Sequence, residues 1–188
     1  MDRDLVTTFT DELIADEFSR IPDYFREVGT PMPEIKWSPE ASDLAEEALR
    51  VLLAYWSDMR RGEKLPLASK LDPMDIRPAL GYVMVMDVED DAWDYHYRVY
   101  GILIVDRSGF DATGKLISEL ALHPMEPFFI GSYRACVLTS KYLFARHVPP
   151  VRVHTTSWDR LILPLEGEDG TISRLLVGNV PGEWAAHR

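Results

Sequence analysis

The order of apolar and polar positions divides the chain into leading helices, two strands, a helical middle and three closing strands. An apolar stripe from Leu13 to Ile21 has the spacing of an amphipathic helix and predicts the first element. Residues 22–37 contain three prolines and a glycine, which favours an irregular linker. The chain therefore begins with a helix and a linker, residues 1–37.

A second helix is predicted over residues 38–62. Ser38 has a side chain that suits the N-cap, and Pro39 suits the first helical position, where no backbone donor is needed. Apolar residues then recur on one broad face until a basic last turn and a glycine. We expect this helix to lead a single domain that spans residues 38–188.

The next pattern predicts a pair of antiparallel strands. Residues 82–89 are nearly all apolar, as in a strand that is buried on both faces. Two aspartates turn the chain, and residues 93–100 then alternate with the two-residue period of a strand. The alternation places Tyr95, Tyr97 and Val99 on one face, and His96, Arg98 and Tyr100 on the other.

The second half of the chain predicts one long helix and three strands. The helix spans residues 125–140, and the strands span residues 142–146, 151–165 and 172–180. The final hairpin must lie beside the first strand pair, because a two-stranded piece is not stable alone. The predicted fold class is α+β, with a five-stranded antiparallel sheet, helices inserted between strands 2 and 3, and N-terminal helices. A cavity is expected between the long helix and the sheet.

Charge and composition narrow the function classes. The net charge of −11 led us to expect no nucleic-acid partner and no membrane binding, because both need clustered basic residues. A single cysteine leaves no intramolecular disulfide, and we found no apolar signal core or membrane-spanning run. The expected location is the cytoplasm.

Four segments, in order, resemble a known family. They are LDPMDIRPALGYVMVMDVE, the strand end YRVYG, the stretch RSGFDATGKLISEL and the late LILPLEGEDG. Together they resemble the bacterial PAS-type domain family, in a group once described as a domain of unknown function. The resemblance implies a PAS fold and a sensory or signalling role, with a small-molecule pocket beneath the helices. It also implies a homodimer through N-terminal helices as one arrangement of the subunits.

The candidate ligand-binding residues are those expected to face this cavity. They are Tyr97, Arg98, Tyr100, Asp111, Phe129, Tyr133 and Trp158. Arg98 has the fork geometry that holds a carboxylate or phosphate. The alternative interpretation is an internal ion pair between Arg98 and Asp111 or Asp106, and we favoured this structural role. In GFDATG, Gly109 and Gly114 predict a turn with positive φ.

No residue pattern points to catalysis, to a metal or to a required cofactor. The five histidines are scattered, and no Cys/His cluster has the spacing of a zinc site. His96 and His123 were considered as single haem ligands, and Cys136 as a residue of flavin photochemistry. His123 precedes a proline at a helix entrance, where a loop residue is commoner than a haem ligand, and the residues around Cys136 do not match the light-sensing PAS motif. We therefore expect neither haem nor flavin, and the cofactor is unknown.

The leading hypothesis is a stand-alone PAS-like sensor that binds a small molecule or a partner protein. Its output would pass to a separate protein, by analogy a component of a phosphorelay. The alternative is a small cone-shaped α+β dehydratase or isomerase acting on an apolar substrate, with His96 paired to Asp106 or Asp111. A third hypothesis is an interaction module whose cavity is filled by its own side chains.

Overall fold

The computed structural model describes residues 1–120, 124–150 and 153–185. Within these residues it contains five α-helices and six strands, joined by short 3-10 turns. The helices are α1 (Arg3–Ala15), α2 (Arg20–Glu27), α3 (Glu47–Arg60), α4 (Ile102–Ser108) and α5 (Glu126–Thr139). The strands are β1 (Glu34–Trp37), β2 (Val83–Glu89), β3 (Asp94–Tyr100), β4 (Leu143–His147), β5 (Trp158–Glu166) and β6 (Ile172–Pro181).

All six strands form one antiparallel sheet in the order β1-β4-β5-β6-β2-β3. The predicted α+β class is confirmed, and the closing hairpin β5–β6 does lie beside the first pair β2–β3. Helices α4 and α5 stand in the chain between these two pairs, as predicted. The strand count differs, because β1 adds a sixth strand beside β4.

Three predicted boundaries were wrong. Residues 22–37 are not an irregular linker, because they include most of α2 and all of β1. The helix predicted from Ser38 begins only at Glu47, and a 3-10 turn at Ala41–Asp43 precedes it. The strand predicted from Val151 begins at Trp158, and residues 151–152 lie outside the described part. Cap-forming residues mark where a turn can start and do not fix how far it continues.

The sheet has a hydrophobic core on each face. One core lies between the sheet and α5, which is itself covered by α1 and α2. The other lies between the sheet and α3. In β5, Trp158 and Ile162 face the α5 side, and Leu161 and Leu163 face the α3 side. Both faces of β5 are therefore buried, and its polar residues must find partners inside the protein.

Helix α1 packs against α5 of its own chain. Its buried face is formed by Val6, Phe9 and Leu13, and Gly131 of α5 lies so close that an added Cβ would be 3.1 Å from the Phe9 Cβ. The apolar face of α1 is thus occupied within its own chain, and a homodimer through N-terminal helices stays a prediction. Trp56 of α3 is likewise buried, in the core on the opposite face.

A β-bulge changes which side chains of β3 face the core. Val85 pairs with Val99 and Met86 pairs with Tyr97, so Arg98 is an extra residue in the ladder. Beyond the bulge, Tyr100 joins the core on the α5 side, and Val99 is exposed. The simple alternation predicted for residues 93–100 was therefore wrong after Tyr97.

Candidate functional site

A cavity of about 60 Å³ lies on the α5 side of the sheet. Phe129 of α5 forms part of its wall, and Tyr97, Tyr100 and Trp158 reach it from the sheet. These four are among the residues predicted to face a ligand. The loop after β4 contributes Pro149 and Val153.

The tyrosines form a hydrogen-bonded aromatic group at this cavity. Tyr133, from the buried face of α5, is hydrogen-bonded through its hydroxyl to Tyr97. Burial raises the pKa of Tyr97 well above its ordinary value, and it raises the pKa of Tyr100 to about 12. The hydroxyls therefore stay protonated near neutral pH and can act as neutral hydrogen-bond donors.

Arg98 and Asp111 lie outside this cavity. The side chain of Arg98 is 57% exposed and pairs with Asp87, which also accepts a hydrogen bond of 2.8 Å from Arg174. Asp111 is exposed, and its carboxylate accepts a hydrogen bond from the Thr113 backbone N–H. The proposed ion pair of Arg98 with Asp111 or Asp106 was therefore wrong. The bulge at Arg98 and its neighbour Asp87 on β2 explain the difference.

Arg160 of β5 and Asn179 of β6 line the cavity from the sheet, and Ser108 and His147 are further polar residues of its wall. Arg160 and Asn179 are direct partners in the ladder, and Arg160 Nε donates a hydrogen bond of 3.2 Å to Asn179 Oδ1. Arg160 is only 7% exposed and Asn179 only 3%. The guanidinium carbon lies 3.9 Å from the centre of the Phe129 ring and 5.8 Å from that of Tyr133.

Our sequence reasoning missed Arg160 and Asn179, although a signal was present. Arg160 precedes the apolar run LILPL, and Asn179 follows the run LLVG. A polar residue at the end of an apolar run in a central strand is forced into the interior, where it must be paired. The sequence analysis names Trp158 from these segments as a ligand-binding candidate, and neither Arg160 nor Asn179.

Comparison with protein families matches residues 44–179 to the PAS domain family. The chain belongs to the PAS domain family. This confirms the resemblance drawn from the four sequence segments. No protein of the curated set matches the chain.

Among solved structures, this PAS domain is similar to an RNA-binding Light-Oxygen-Voltage receptor at 16% sequence identity. The match covers 93% of this chain and 48% of that one, with a TM-score of 0.38. The PAS chain therefore spans about half of the length of the receptor.

The prediction of no nucleic-acid partner rests on net charge alone. Net charge is a sum and leaves the local distribution of basic side chains open, so this prediction is withdrawn. RNA binding is stated of that receptor alone. The expectation of neither haem nor flavin stays a prediction.

The cysteine and the histidines named as cofactor candidates either do not line the cavity or lie outside the described residues. Cys136 is fully buried, and burial raises the pKa of its thiol well above the ordinary value. His96 lies on β3 opposite Asp87, and His123 and His187 fall outside the described residues.

The described ranges hold no group of three or more metal-ligating side chains. No described helix has both the length and the apolarity to cross a membrane.

Proposed function

We propose that this PAS domain is a sensory module that binds a small molecule in the cavity beneath α5. The observation that supports this proposal is the buried Arg160, which lies at an internal cavity that aromatic rings also line. An apolar wall with a few convergent polar groups is the usual composition of a small-molecule site. The role is one of sensing and not of catalysis.

The enzyme alternative has less support. It required His96 to converge with Asp106 or Asp111 in the cavity, and none of these three residues lines it. The chain order also follows the PAS arrangement, because α4 and α5 separate the strand pair β2–β3 from β4. We therefore carry no catalytic residue forward.

The proposed signal passes through the sheet to α3. Arg160 and Asn179 face the cavity, whereas Gly178 on β6 faces α3 from the other side of the same ladder. A Cβ at Gly178 would lie 2.5 Å from a methyl carbon of Leu49 and 2.7 Å from one of Leu52, so α3 packs closely on this strand. A ligand would bias the packing of α3 only through its differential affinity for two arrangements. The output itself would be carried by a protein or segment outside these 188 residues.

The test combines a thermal-shift screen of small molecules with native mass spectrometry and hydrogen exchange. We expect a bound compound to raise the melting temperature and to change amide exchange in both β5 and α3. Phe129→Ala enlarges the cavity and should shift the preference toward larger compounds. Leu138→Ala, on the same helix but 56% exposed, is the matched control and should leave the preference unchanged.

Two results would refute the proposal. One is the absence of any retained molecule together with no stabilisation by the library, which would mean that the cavity is a packing defect. The other is a compound whose stabilising effect is the same in Phe129→Ala and in the unmodified protein, which would place its site elsewhere. Binding without any change of exchange in α3 would contradict the signalling route only.

A further inference from the structure

Arg160 carries more hydrogen-bonding capacity than the described protein uses. A guanidinium group has five N–H donors on three nitrogens. Nε donates to Asn179, whereas Nη1 is buried and has no hydrogen-bond partner among the residues that the structure describes. A buried donor that is left unsatisfied costs on the order of 1–3 kcal/mol, and more when the group is charged.

The charge of Arg160 is also uncompensated. Within the described ranges, no carboxylate oxygen lies within 4.0 Å of its guanidinium nitrogens. The ion pairs among the described residues involve other cations, namely Arg3, Arg20, Arg26, Lys36, Arg98, Arg146 and Arg174. Asp159 is the adjacent carboxylate in the chain, but it pairs with Arg146 at 2.6 Å.

The aromatic contacts do not replace an anion. A desolvated cation over an aromatic face gains about 2 kcal/mol. Moving a charged group out of water costs several kcal/mol, even after the protein relaxes. Phe129 and Tyr133 therefore offset part of the cost of burying Arg160, and an anion in the cavity would offset the rest.

We propose that Arg160 is the anchor of an anion-binding site and that the cavity takes a short-chain monocarboxylate. This assignment rests on the proposed function and names the ligand class of the same site. A carboxylate accepts two parallel N–H bonds from a guanidinium group, and the aromatic wall receives the hydrocarbon end.

The charge of the cavity lining and the volume of the cavity both favour a short-chain monocarboxylate. Arg160 is the one permanently charged side chain among the described residues that line the cavity, which matches a single negative charge. The volume of about 60 Å³ is roughly four times the 15 Å³ or so that one buried water needs, so only a few heavy atoms fit. A phosphate ester or a dicarboxylate would bring a second charge, and the described lining holds no second permanently charged side chain, with His147 as its one titratable imidazole.

The test measures the melting temperature and the intrinsic tryptophan fluorescence of the unmodified chain with acetate, propionate and butyrate. Propionamide and butyramide are the neutral analogues, and sodium chloride at equal ionic strength is the salt control. We expect butyrate to bind about tenfold or more tightly than butyramide, because only butyrate forms a charge-assisted pair. Chloride should produce no comparable shift.

Two variants locate the site. Arg160→Met should abolish the response to carboxylates. Arg98→Met makes the same substitution at an arginine that lies outside the cavity, and it should keep the full response. If Arg160→Met does not fold, the comparison of butyrate with butyramide in the unmodified chain still decides the question.

The possible failures are distinguishable. Equal binding of butyrate and butyramide, or an equal response to chloride, would overturn the monocarboxylate assignment and leave the small-molecule site in place. If a library compound binds in the cavity but acetate, propionate and butyrate do not, the monocarboxylate assignment is again overturned and the small-molecule site remains. If neither the carboxylates, the amides nor any library compound binds, the assignment and the proposed function both fall.

Discussion

The indole N–H of Trp56 donates a buried hydrogen bond of 2.8 Å to the backbone carbonyl of Pro164. This bond connects α3 to β5. Pro164 pairs with Leu175 of β6 on one side, but β4 pairs with β5 only as far as Ile162, so on the β4 side no strand needs the N–H that proline lacks. The helix on one face is thus joined directly to the strand that carries Arg160 on the other.

Replacing Trp56 tests this joint. Trp56→Phe should lower the free energy of unfolding by about 1–3 kcal/mol, because the Pro164 carbonyl loses its donor in the interior. Denaturant unfolding measures the change. Trp184→Phe is the control, since Trp184 is 58% exposed, and its cost should stay below about 0.5 kcal/mol. Equal costs for the two variants would contradict the structural role of Trp56.

Asp87 should make stability depend on pH in the acid range. Burial would raise the pKa of Asp87, but hydrogen bonds from Arg174 and Arg98 outweigh it and lower the pKa below the ordinary 3.8. A lowered pKa in the folded state means that the stabilisation is present above the unfolded value and is lost as pH falls through the folded one.

Asp87→Asn is therefore expected to destabilise the protein at about pH 7 and to have a smaller effect at about pH 2. Urea unfolding midpoints at the two pH values measure the difference. Arg98→Ala is the milder comparison, because Arg174 still pairs with Asp87. A gap between Asp87→Asn and the unmodified protein that stays constant with pH would show that ionisation of Asp87 does not contribute.

Alkaline pH should unfold the protein through its buried tyrosines. Burial, the largest cause, raises the pKa of Tyr100 from 10.0 to about 12, and it raises those of Tyr95 and Tyr97 well above 10.0. The folded state then holds protons that the unfolded state releases, so stability is full below about pH 10 and falls as pH rises toward 12. Tyrosinate absorbance and circular dichroism should change together in this window. Ionisation of all eight tyrosines near pH 10 with intact secondary structure would contradict it.

Substitution of either of two glycines by alanine should destabilise the protein, for a different reason at each position. At Gly101 an added Cβ would lie 2.3 Å from the carbonyl oxygen of Gly81, so Gly101→Ala should cost about 3 kcal/mol or more through crowding. At Gly114 nothing lies within 4 Å, but φ is +79°, so Gly114→Ala should cost about 1–2 kcal/mol through backbone strain.

Substitution by asparagine distinguishes steric crowding at Gly101 from backbone strain at Gly114. It tolerates a left-handed backbone, so Gly114→Asn should cost less than Gly114→Ala, whereas Gly101→Asn should cost at least as much as Gly101→Ala. Denaturant midpoints measure all four variants. If Gly114→Asn and Gly114→Ala were equally destabilising, strain at φ would not be the cause.

The sequence predicted the elements whose signals are local. The helix at residues 125–140 and the strands around residues 83–100 were found because apolar spacing reports directly which side chains need burial. The positive φ at Gly109 and Gly114 was also predicted, since GFDATG combines glycines with turn-forming polar residues. The start of α3 was missed, because Ser38-Pro39 fits a helix start as well as a turn.

The structure places four of the predicted site residues at the cavity and Arg98 outside it, and ligand binding by any of them stays a prediction. The aromatic residues Tyr97, Tyr100, Phe129 and Trp158 were identified because large apolar side chains in a sheet and its covering helix point to the core. Arg98 was named from the sequence and Arg160 was not, although both lie in strands among apolar residues. Arg98 is the extra residue in the β2–β3 ladder and pairs with Asp87, whereas the bulge brings Tyr100 to the cavity side, and no periodicity in the sequence reveals that bulge.

The sequence by itself determined the α+β class and the order of the elements from α3 onward, because hydrophobic periodicity and turn chemistry act over a few neighbouring residues. The family followed from the resemblance of four segments. Only the tertiary structure decided that Arg160 faces Asn179 and a cavity, while Arg98 faces Asp87. Both pairings join strands through ladder register, which is set by the packing of the entire sheet between α5 and α3. The packing of the sheet between α5 and α3 therefore decides that the guanidinium group of Arg160, and not that of Arg98, lies at the cavity.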